Sequence, residues 1–394
     1  MNRALGAVGV GLLAVLLGAW PYIDLQLAAP IGGWAFNAPV ADLAAMALAP
    51  IGALMLLRAG CPAAARAPLL AALLGYGMLL AAGLASGVLS PERSAALHEW
   101  VRKPLFFGLV YGVGLTGFVL AAGRDEAVRR PLLAAVALCT AISLATSVGR
   151  ILAGDTLWFQ AVSGLTNNHK TLAVALAPAL PLLWGWRAEP PGRWTRVVVA
   201  MGALALLFSM SRTAWISAVV AAAFFVQWRG RPLAAFRATV PVILVLGVLG
   251  ATYGPLLTGS LAQLDALRSR HSLDKRSWAL FSEAPLVGAG PGASVRVEVP
   301  TFPDYRVNGV DAHGVVQKVG AEYGLVGLAG MAAAVAALGS ALRRRHTLGS
   351  GVWPAFLALH ANLLLSTETF SQTHWAILAL VVGRGLREGR EPPP

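Results

Sequence analysis

The sequence predicts an all-α, polytopic integral membrane protein, and three observations lead to this fold class. The 394 residues are 57% hydrophobic and only 12% charged, with a mean hydropathy of +0.67, whereas a soluble domain carries about 25% charged residues. The hydrophobic residues form runs close to the ~20 residues that a helix needs to cross a bilayer. Arginines gather in alternate connections between these runs, as they do in cytoplasmic loops.

About twelve transmembrane helices are expected. The apolar N-terminus is counted as the first span rather than as a signal peptide, because no clear cleavage site follows it and further spans do. In chain order, the predicted spans are residues 4–20, 38–57, 68–89, 104–122, 131–153, 171–186, 197–211, 213–228, 238–259, 319–342, 351–366 and 371–386.

Arginine density alternates along the chain. With a cytoplasmic N-terminus, every second connection and the C-terminal tail are arginine-rich, as the positive-inside rule requires. An odd number of spans would break this pattern, so twelve spans with both termini in the cytoplasm is the economical topology. The arginines concerned are Arg58, Arg66, Arg124, Arg129, Arg130, Arg187, Arg193, Arg196, Arg229, Arg231, Arg237, Arg343, Arg344, Arg345, Arg384, Arg387 and Arg390.

The segment 260–312 is too polar to span a membrane and too long for a plain connection. It also contains a turn cluster, Gly288-Ala-Gly290-Pro291-Gly292. We therefore predict three regions: spans 1–9 in residues 1–259, a folded outer loop domain over the site in residues 260–312, and residues 313–394 with a histidine-bearing helix and spans 10–12.

His313 is the leading candidate for chemistry. It follows the polar segment and precedes a long apolar run, so its imidazole is expected where water and hydrocarbon meet, and ionisable groups there are costly and commonly functional. Asp311 can N-cap a helix that begins at Ala312. A neutral imidazole in the first turn would be a good general base. An interfacial histidine without a role is the alternative interpretation.

Basic residues without a topological explanation are the next candidates. Arg212 lies between two apolar runs, and it either reaches to lipid headgroups or binds an anion in a polar cavity. A basic cluster in the segment 260–312 suits a phosphate or pyrophosphate, although nearby acids allow ordinary surface ion pairs instead. Its members are Arg268, Arg270, His271, Lys275 and Arg276.

Six further residues near predicted outer span ends can add to the same site. Headgroup contact is the alternative for the basic ones. They are Arg102, Lys103, Arg150, Asn168, His169 and Lys170. No histidine pair or outer acidic pair has the spacing of a metal site, and no nucleotide-binding motif occurs. Topology accounts for much of the net charge of +13, so nucleic-acid binding is not expected.

Four short motifs together resemble the O-antigen ligase/polymerase superfamily, over roughly residues 100–342. The motifs are Gly164-Leu-Thr-Asn-Asn-His-Lys-Thr-Leu172, Phe208-Ser-Met-Ser-Arg-Thr-Ala-Trp215, Arg270 placed fifteen residues before Pro285-Leu-Val-Gly-Ala-Gly290, and His313 followed by Glu322-Tyr-Gly-Leu-Val-Gly327.

The resemblance implies transfer of a glycan from an undecaprenyl-pyrophosphate-linked O-antigen donor, at the periplasmic face of the bacterial inner membrane. Arg212 and Arg270 look like the family's span-end and loop arginines, and His313 looks like its essential histidine. Arg276 is a rival for the role of Arg270. The chain departs from the family at Gly314, where Asn is common. It departs again in Asn167-Asn168-His169, where the family has an Asn-Pro-Asn-like loop, and at Asp274, where an aromatic residue is expected.

Within this family, the compact length favours an O-antigen ligase with lipid A–core as acceptor. A polymerase using the same donor is the closest alternative, and a polytopic lipid-linked-sugar transporter is the alternative from another class. Arginines would stabilise the pyrophosphate in place of a metal, so no cofactor is expected. Membrane lipids are the other expected partners.

Overall fold

A computed structural model describes residues 3–19, 26–31, 34–122, 125–153, 169–186, 192–209, 211–227, 261–296, 314–345, 351–365 and 371–387. It confirms the predicted fold class, because the chain is an all-α polytopic membrane protein with a single described β-hairpin. Five described helices are long and apolar enough to cross a membrane, and four shorter apolar helices accompany them. The total of twelve spans stays a prediction.

The helices follow the predicted spans closely. They are α1 (Arg3–Ala19), α2 (Val40–Ala59), α3 (Ala63–Leu89), α4 (Arg93–Ala121), α5 (Glu126–Leu152), α6 (His169–Trp184), α7 (Arg193–Phe208), α8 (Arg212–Gln227), α9 (Leu261–Glu283), α10 (Ala293–Arg296), α11 (Val315–Arg345), α12 (Val352–Leu365) and α13 (Gln372–Arg387). Eleven predicted spans coincide with one of these helices. The ninth, residues 238–259, lies outside the described residues.

A β-hairpin precedes α2, where the sequence predicted a plain loop. Strand β1 (Gln26–Ile31) pairs antiparallel with β2 (Trp34–Pro39), and Ile31 lies opposite Trp34. The two residues between the strands are Gly32 and Gly33, a pair common in two-residue hairpin turns. The alternation of polar and apolar residues is weak in both strands, so pattern analysis passed over them.

Helix α4 begins eleven residues before the predicted span and is wound as π-helix in its middle, over Val101–Leu105 and Phe107–Leu115. The hydroxyl of Tyr76 donates a hydrogen bond of 2.6 Å to the carbonyl of Pro104. Wider π-helical turns are frequent near functional sites. Arg102 and Lys103 therefore lie within a continuous helix rather than at its end.

Helices α3 and α11 pack side by side at very short range. A Cβ atom built on Gly75 would lie 2.6 Å from the carbonyl oxygen of Gly330, and one built on Gly330 would meet the carbonyl of Gly75. Small residues facing each other let the backbones of membrane helices approach closely. This contact fixes α11 against α3, and α3 in turn contacts α4.

A buried arginine cluster lies at the end of the bundle where α13 terminates. Arg384 of α13 is 6% exposed and pairs with Asp125 at 3.2 Å, while Arg387 pairs with the same carboxylate at 2.8 Å. Arg384 also donates to the carbonyl of Trp186 at 2.8 Å. These two arginines, predicted as topological charges, therefore also hold α13 to the connections that follow α4 and α6.

We expect the two ends of the bundle to face opposite sides of the membrane. In a variant with Cys61→Ser and Cys139→Ser, a cysteine at Ser282→Cys, exposed near the end of α9, should react with a membrane-impermeant maleimide in intact cells. Arg344→Cys, exposed near the end of α11, should react only after permeabilisation, since arginine-rich connections are cytoplasmic. The reverse pattern would overturn the topology.

Candidate functional site

Helix α11 is broken at Gly324, which has φ 64° and ψ −162°, a conformation that favours glycine. A Cβ atom built on Gly320 would lie 3.5 Å from Cδ1 of Leu328, eight residues further on, although eight residues of a straight helix extend about 12 Å. The helix therefore bends sharply at the break. The part that begins at Val315 packs against Leu79 of α3 and Leu363 of α12.

The loop between α9 and α10 fills this break. A break in a helix leaves backbone N–H and C=O groups without their helical partners, and these groups must find other partners when they are buried. Four hydrogen bonds from the loop supply them: Leu325 N–H to Pro285 C=O at 2.8 Å, Val326 N–H to Leu286 C=O at 3.1 Å, Ala289 N–H to Ala321 C=O at 2.8 Å, and Gly290 N–H to Glu322 C=O at 3.2 Å. The loop and the broken helix form one unit, which we call the junction.

Glu322 is the polar centre of the junction. Its side chain is 1% exposed, and its Oε1 accepts a short hydrogen bond from the hydroxyl of Ser294 in α10. Its backbone carbonyl accepts a second bond, of 3.2 Å, from the hydroxyl of Ser86 in α3. One residue thus connects three helices, and the buried carboxylate is held by a hydrogen bond, as buried charges require.

Two basic side chains are buried at the same junction. Arg276 of α9 and Lys318 of α11 are each 3% exposed, and both take part in polar or charge interactions. Arg276 donates to the carbonyl of Ala293 at 3.4 Å, and the charge of Lys318 acts on Glu99 of α4. Removing a partner from such buried charges is strongly destabilising.

Ion pairs extend the polar region to the start of α4. Glu99 accepts from Lys103 at 2.9 Å and lies 3.7 Å from Arg102. Arg296 of α10 pairs with Glu92 at 2.8 Å. A Cβ atom on Gly292 would lie 3.0 Å from Cγ of Glu99 and 3.2 Å from Nη1 of Arg296, so the two groups of pairs are neighbours.

Basic side chains outnumber acidic ones in this region, which we call the junction cluster. An excess of one sign beside a low-dielectric wall focuses a potential that attracts the opposite charge. The cluster is therefore suited to a polyanionic ligand next to it. Its charged members are Glu92, Glu99, Arg102, Lys103, Arg276, Arg296, Lys318 and Glu322.

His313 lies outside the described residues, and its neighbour Gly314 marks its place. Helix α11 begins at Val315, three residues later than the predicted start at Ala312. Gly314 is buried, and a Cβ atom on it would lie 2.9 Å from the carbonyl of Leu364. Gly314 therefore lies beside the end of α12, where the backbones leave no room for the Asn that the family often has at 314.

Helices α6 and α8, which bear His169, Lys170 and Arg212, start at the same end of the bundle as Gly314. The amide of Gly351, before α12, donates to the carbonyl of Gly185, after α6, at 3.2 Å. Because α6 and α12 pack together, the start of α6 lies near the end of α12 and Gly314. Helix α7 returns from α6, and α8 follows it directly, so Arg212 at the start of α8 is at this end too.

The structure describes only the backbone of several predicted residues. Arg212 begins α8, Arg270 lies in α9, Arg150 lies near the end of α5, and His169 and Lys170 begin α6; their side chains, like all of Asn168, lie outside the described residues. The ligand roles of these residues stay predictions. What the structure does bring together is the third and fourth sequence motifs, since the loop at Pro285–Gly290 docks into the break at Gly324.

Sequence analysis missed several residues of the junction cluster. Glu99 precedes Lys103 by four positions, a spacing that commonly gives ion pairs on a helix, so this signal was readable. The partnership of Glu322 with Ser294 had no local signal, because 28 residues separate them. Among the described residues, no group of three metal-ligating side chains occurs.

Comparison with protein-family models identifies part of the chain. Residues 197–332 match the family model described as O-antigen ligase. This stretch contains most of α7, all of α8 to α10 and the first part of α11, and therefore includes Arg212, the loop at 285–290 and the break at Gly324. A search of curated proteins finds no match.

Proposed function

We propose that this chain, which belongs to the O-antigen ligase/polymerase superfamily, transfers O-antigen from undecaprenyl pyrophosphate to lipid A–core at the periplasmic face of the bacterial inner membrane. The family supports a role in lipopolysaccharide or polysaccharide assembly in general. The finer assignment to a ligase, rather than a polymerase, is the part of the proposal that the transfer assay below tests.

The junction is the observation that carries the proposal. In one place it joins the loop bearing Pro285, the broken helix that begins just after His313, and an excess of basic side chains. Broken membrane helices with buried polar groups commonly form sites for charged ligands. A pyrophosphate needs such a cationic environment, and a reaction centre needs fixed backbone around it.

In the proposed reaction, a hydroxyl oxygen of the acceptor attacks the anomeric carbon of the donor glycan. The bond from that carbon to the pyrophosphate oxygen breaks, and the pyrophosphate leaves with the electron pair. His313 takes the hydroxyl proton as general base. Direct displacement inverts the anomeric centre. The activated donor supplies the driving force, so no nucleotide is consumed.

Arginines are proposed to stabilise the charge that builds on the leaving pyrophosphate. Arg276 is buried and donates to Ala293 within the protein. Arg270 lies six residues earlier on α9, at a helix position about 240° around the axis from Arg276. This favours Arg270 over Arg276 as the loop arginine, with Arg212 as its partner. Arg102 and Lys103 supply part of the surrounding positive field.

The test is a transfer assay with purified protein, carrier-linked glycan and lipid A–core. A ligase yields core-linked glycan, a polymerase yields longer carrier-linked glycan, and a transporter yields neither. Core-linked product that depends on the protein supports the proposal. Longer carrier-linked glycan, or no product from protein that still binds the donor, overturns it.

Transfer is expected to continue in EDTA. The sequence places no acidic pair on the outer face that would hold a divalent ion with the pyrophosphate, and arginines are proposed to do this work. The measurement is the initial rate after dialysis against chelator. A loss of rate that magnesium or manganese restores would contradict the metal-independent mechanism.

Arg212→Lys and Arg270→Lys are each expected to lower the transfer rate by about 10²–10³, the loss seen when one transition-state donor is removed. Lysine keeps the charge and loses the planar fork that holds two phosphate oxygens. Arg193→Lys, at an exposed position at the start of α7, is the matched control and should be neutral. If both test variants transferred glycan at the wild-type rate, other basic residues would have to bind the pyrophosphate.

A further inference from the structure

A cavity lies inside the helix bundle, and none of the charged residues of the junction cluster line it. It has a volume of about 370 Å³ and is enclosed by α3, α4, α11, α12 and α13. Its walls are largely apolar, and they include Leu69, Leu79, Val335, Leu363 and Leu378. Sites for small molecules commonly measure about 300–1,000 Å³, so this cavity is large enough for a ligand.

The cavity has the shape and position of a site for one lipid chain. On α3 it extends from Leu69 to Leu79, a rise of about 15 Å, which is half of the ~30 Å hydrocarbon core. Leu73 and Leu364 line it and are also 51% and 54% exposed, and in a membrane those exposed sides face lipid. A hydrocarbon chain can therefore enter sideways from the bilayer.

The wall also carries polar groups that find no hydrogen-bond partner among the described residues. His374 and Trp375 line the cavity and are 4% and 9% exposed. Nδ1 of His374 and Nε1 of Trp375 are buried without a hydrogen-bond partner among the described residues. Leaving such a buried group without a partner is unfavourable. A ligand that brings an oxygen atom to this wall would remove that cost.

A third polar group points to the same ligand. His360 also lines the cavity, its ring centroid is 6.3 Å from that of His374, and its Nδ1 is 2.8 Å from the carbonyl of Phe356. That bond requires the proton on Nδ1, which leaves Nε2 as an acceptor. A hydroxyl group both donates and accepts, and an ester carbonyl accepts from an indole N–H, so an oxygenated chain matches this wall.

We infer that the cavity binds one acyl chain of the lipid acceptor, with an ester or hydroxyl oxygen of that chain at His374 and Trp375. Val315 and Val316 also line the cavity, and the proposal puts the headgroup of the bound lipid at this start of α11, which follows His313 in the chain. An isoprenoid tail is pure hydrocarbon and leaves the polar wall unsatisfied. The inference rests on the proposed function, which supplies the acceptor.

The test compares two phenylalanine substitutions on α11. Ala334→Phe places a ring in the cavity, which Ala334 lines, whereas Ala336 is exposed and does not line it, so Ala336→Phe is the matched control. The purified proteins are incubated with lipid A–core, a bilayer phospholipid or the undecaprenyl-pyrophosphate donor, and bound lipid is counted by native mass spectrometry. Wild type and Ala336→Phe should retain one lipid A–core, and Ala334→Phe should lose it.

Two more variants test the polar wall. Trp375→Phe and His374→Phe keep an aromatic ring and remove the unsatisfied nitrogen, and each should weaken lipid A–core binding by about two- to tenfold, the range of one net hydrogen bond. In the transfer assay, Ala334→Phe should raise KM for the acceptor and leave KM for the donor unchanged. Retention of phospholipid alone, of the donor through its isoprenoid tail, or of no lipid would each overturn the inference.

Lipid retention is measured without turnover. A protein that binds lipid A–core in this cavity and forms no product would therefore contradict the proposed function while supporting the cavity. If the wild type transfers glycan and Ala334→Phe keeps its affinity for the acceptor, the proposed function would be supported and the binding of lipid in this cavity would be contradicted.

Discussion

His313→Ala is expected to lower glycan transfer by about 10²–10⁴, the usual contribution of a general base, with little loss of donor affinity. The donor is held mainly by arginines in the proposed mechanism, so removing the imidazole removes the proton acceptor and not the clamp. Transfer by the wild type should also fall as the pH falls and the ring becomes protonated, because only a neutral imidazole accepts a proton. Transfer rate and donor binding are measured separately.

His313→Lys separates a base from a cationic ligand. Lysine places a positive charge at residue 313 but offers no neutral proton acceptor at neutral pH. If His313 is a general base, the His313→Lys protein should therefore be inactive. If His313 instead bound the pyrophosphate as a cation, His313→Lys would keep substantial activity and His313→Ala would lose donor affinity. The control substitution is His98→Ala, which removes a different histidine, located in α4.

Gly324→Ala is expected to abolish transfer by disrupting the junction. A Cβ atom at this position would lie 2.5 Å from both the carbonyl carbon and the oxygen of Leu286, and 2.6 Å from the amide nitrogen of Val287. These are backbone atoms, which cannot rotate away as a side chain can. The positive φ adds strain of about 1–3 kcal/mol for a residue other than glycine. The loop must therefore move off the helix.

The disruption is measured by limited proteolysis between α9 and α11, together with the unfolding temperature. Gly324→Ala should be cleaved faster and unfold at a lower temperature than the wild type. Gly77→Ala is the matched control, because a Cβ atom there meets nothing within 4 Å, and it should behave as wild type. A Gly324→Ala protein with normal activity and normal protease resistance would show that the break is not needed.

Local patterns were enough to predict most of the fold. Runs such as Val40–Ala59 and Ala63–Leu89 are apolar along their whole length, and hydropathy alone identifies spans of this kind. The hairpin at residues 26–39 was not predicted, because its strands are short and each contains proline. Its pairing depends on contacts between strands that the pattern of single residues does not report.

The site was less predictable, and the reason is distance along the chain. Gly324 costs only about 1 kcal/mol within a helix relative to alanine, which does not signal a break. The break forms because Pro285 and Leu286, nearly forty residues earlier, supply partners for the exposed amides. Family resemblance had placed both motifs in one site, and the structure shows the hydrogen bonds that join them.

The four hydrogen bonds at the break also restrict how the proposed substrates would approach the junction. If the loop at residues 285–290 swung outward, it would leave unpaired backbone groups on both itself and α11, at about 1–3 kcal/mol for each one that stays buried. This loop is therefore expected to stay in place over the break rather than to open and close as a hinged lid. Large lipid-linked sugars would need to arrive by another route, and sideways diffusion within the plane of the membrane keeps their lipid portions in hydrocarbon throughout. Rates of encounter would then depend on lipid concentration in the bilayer and on its fluidity.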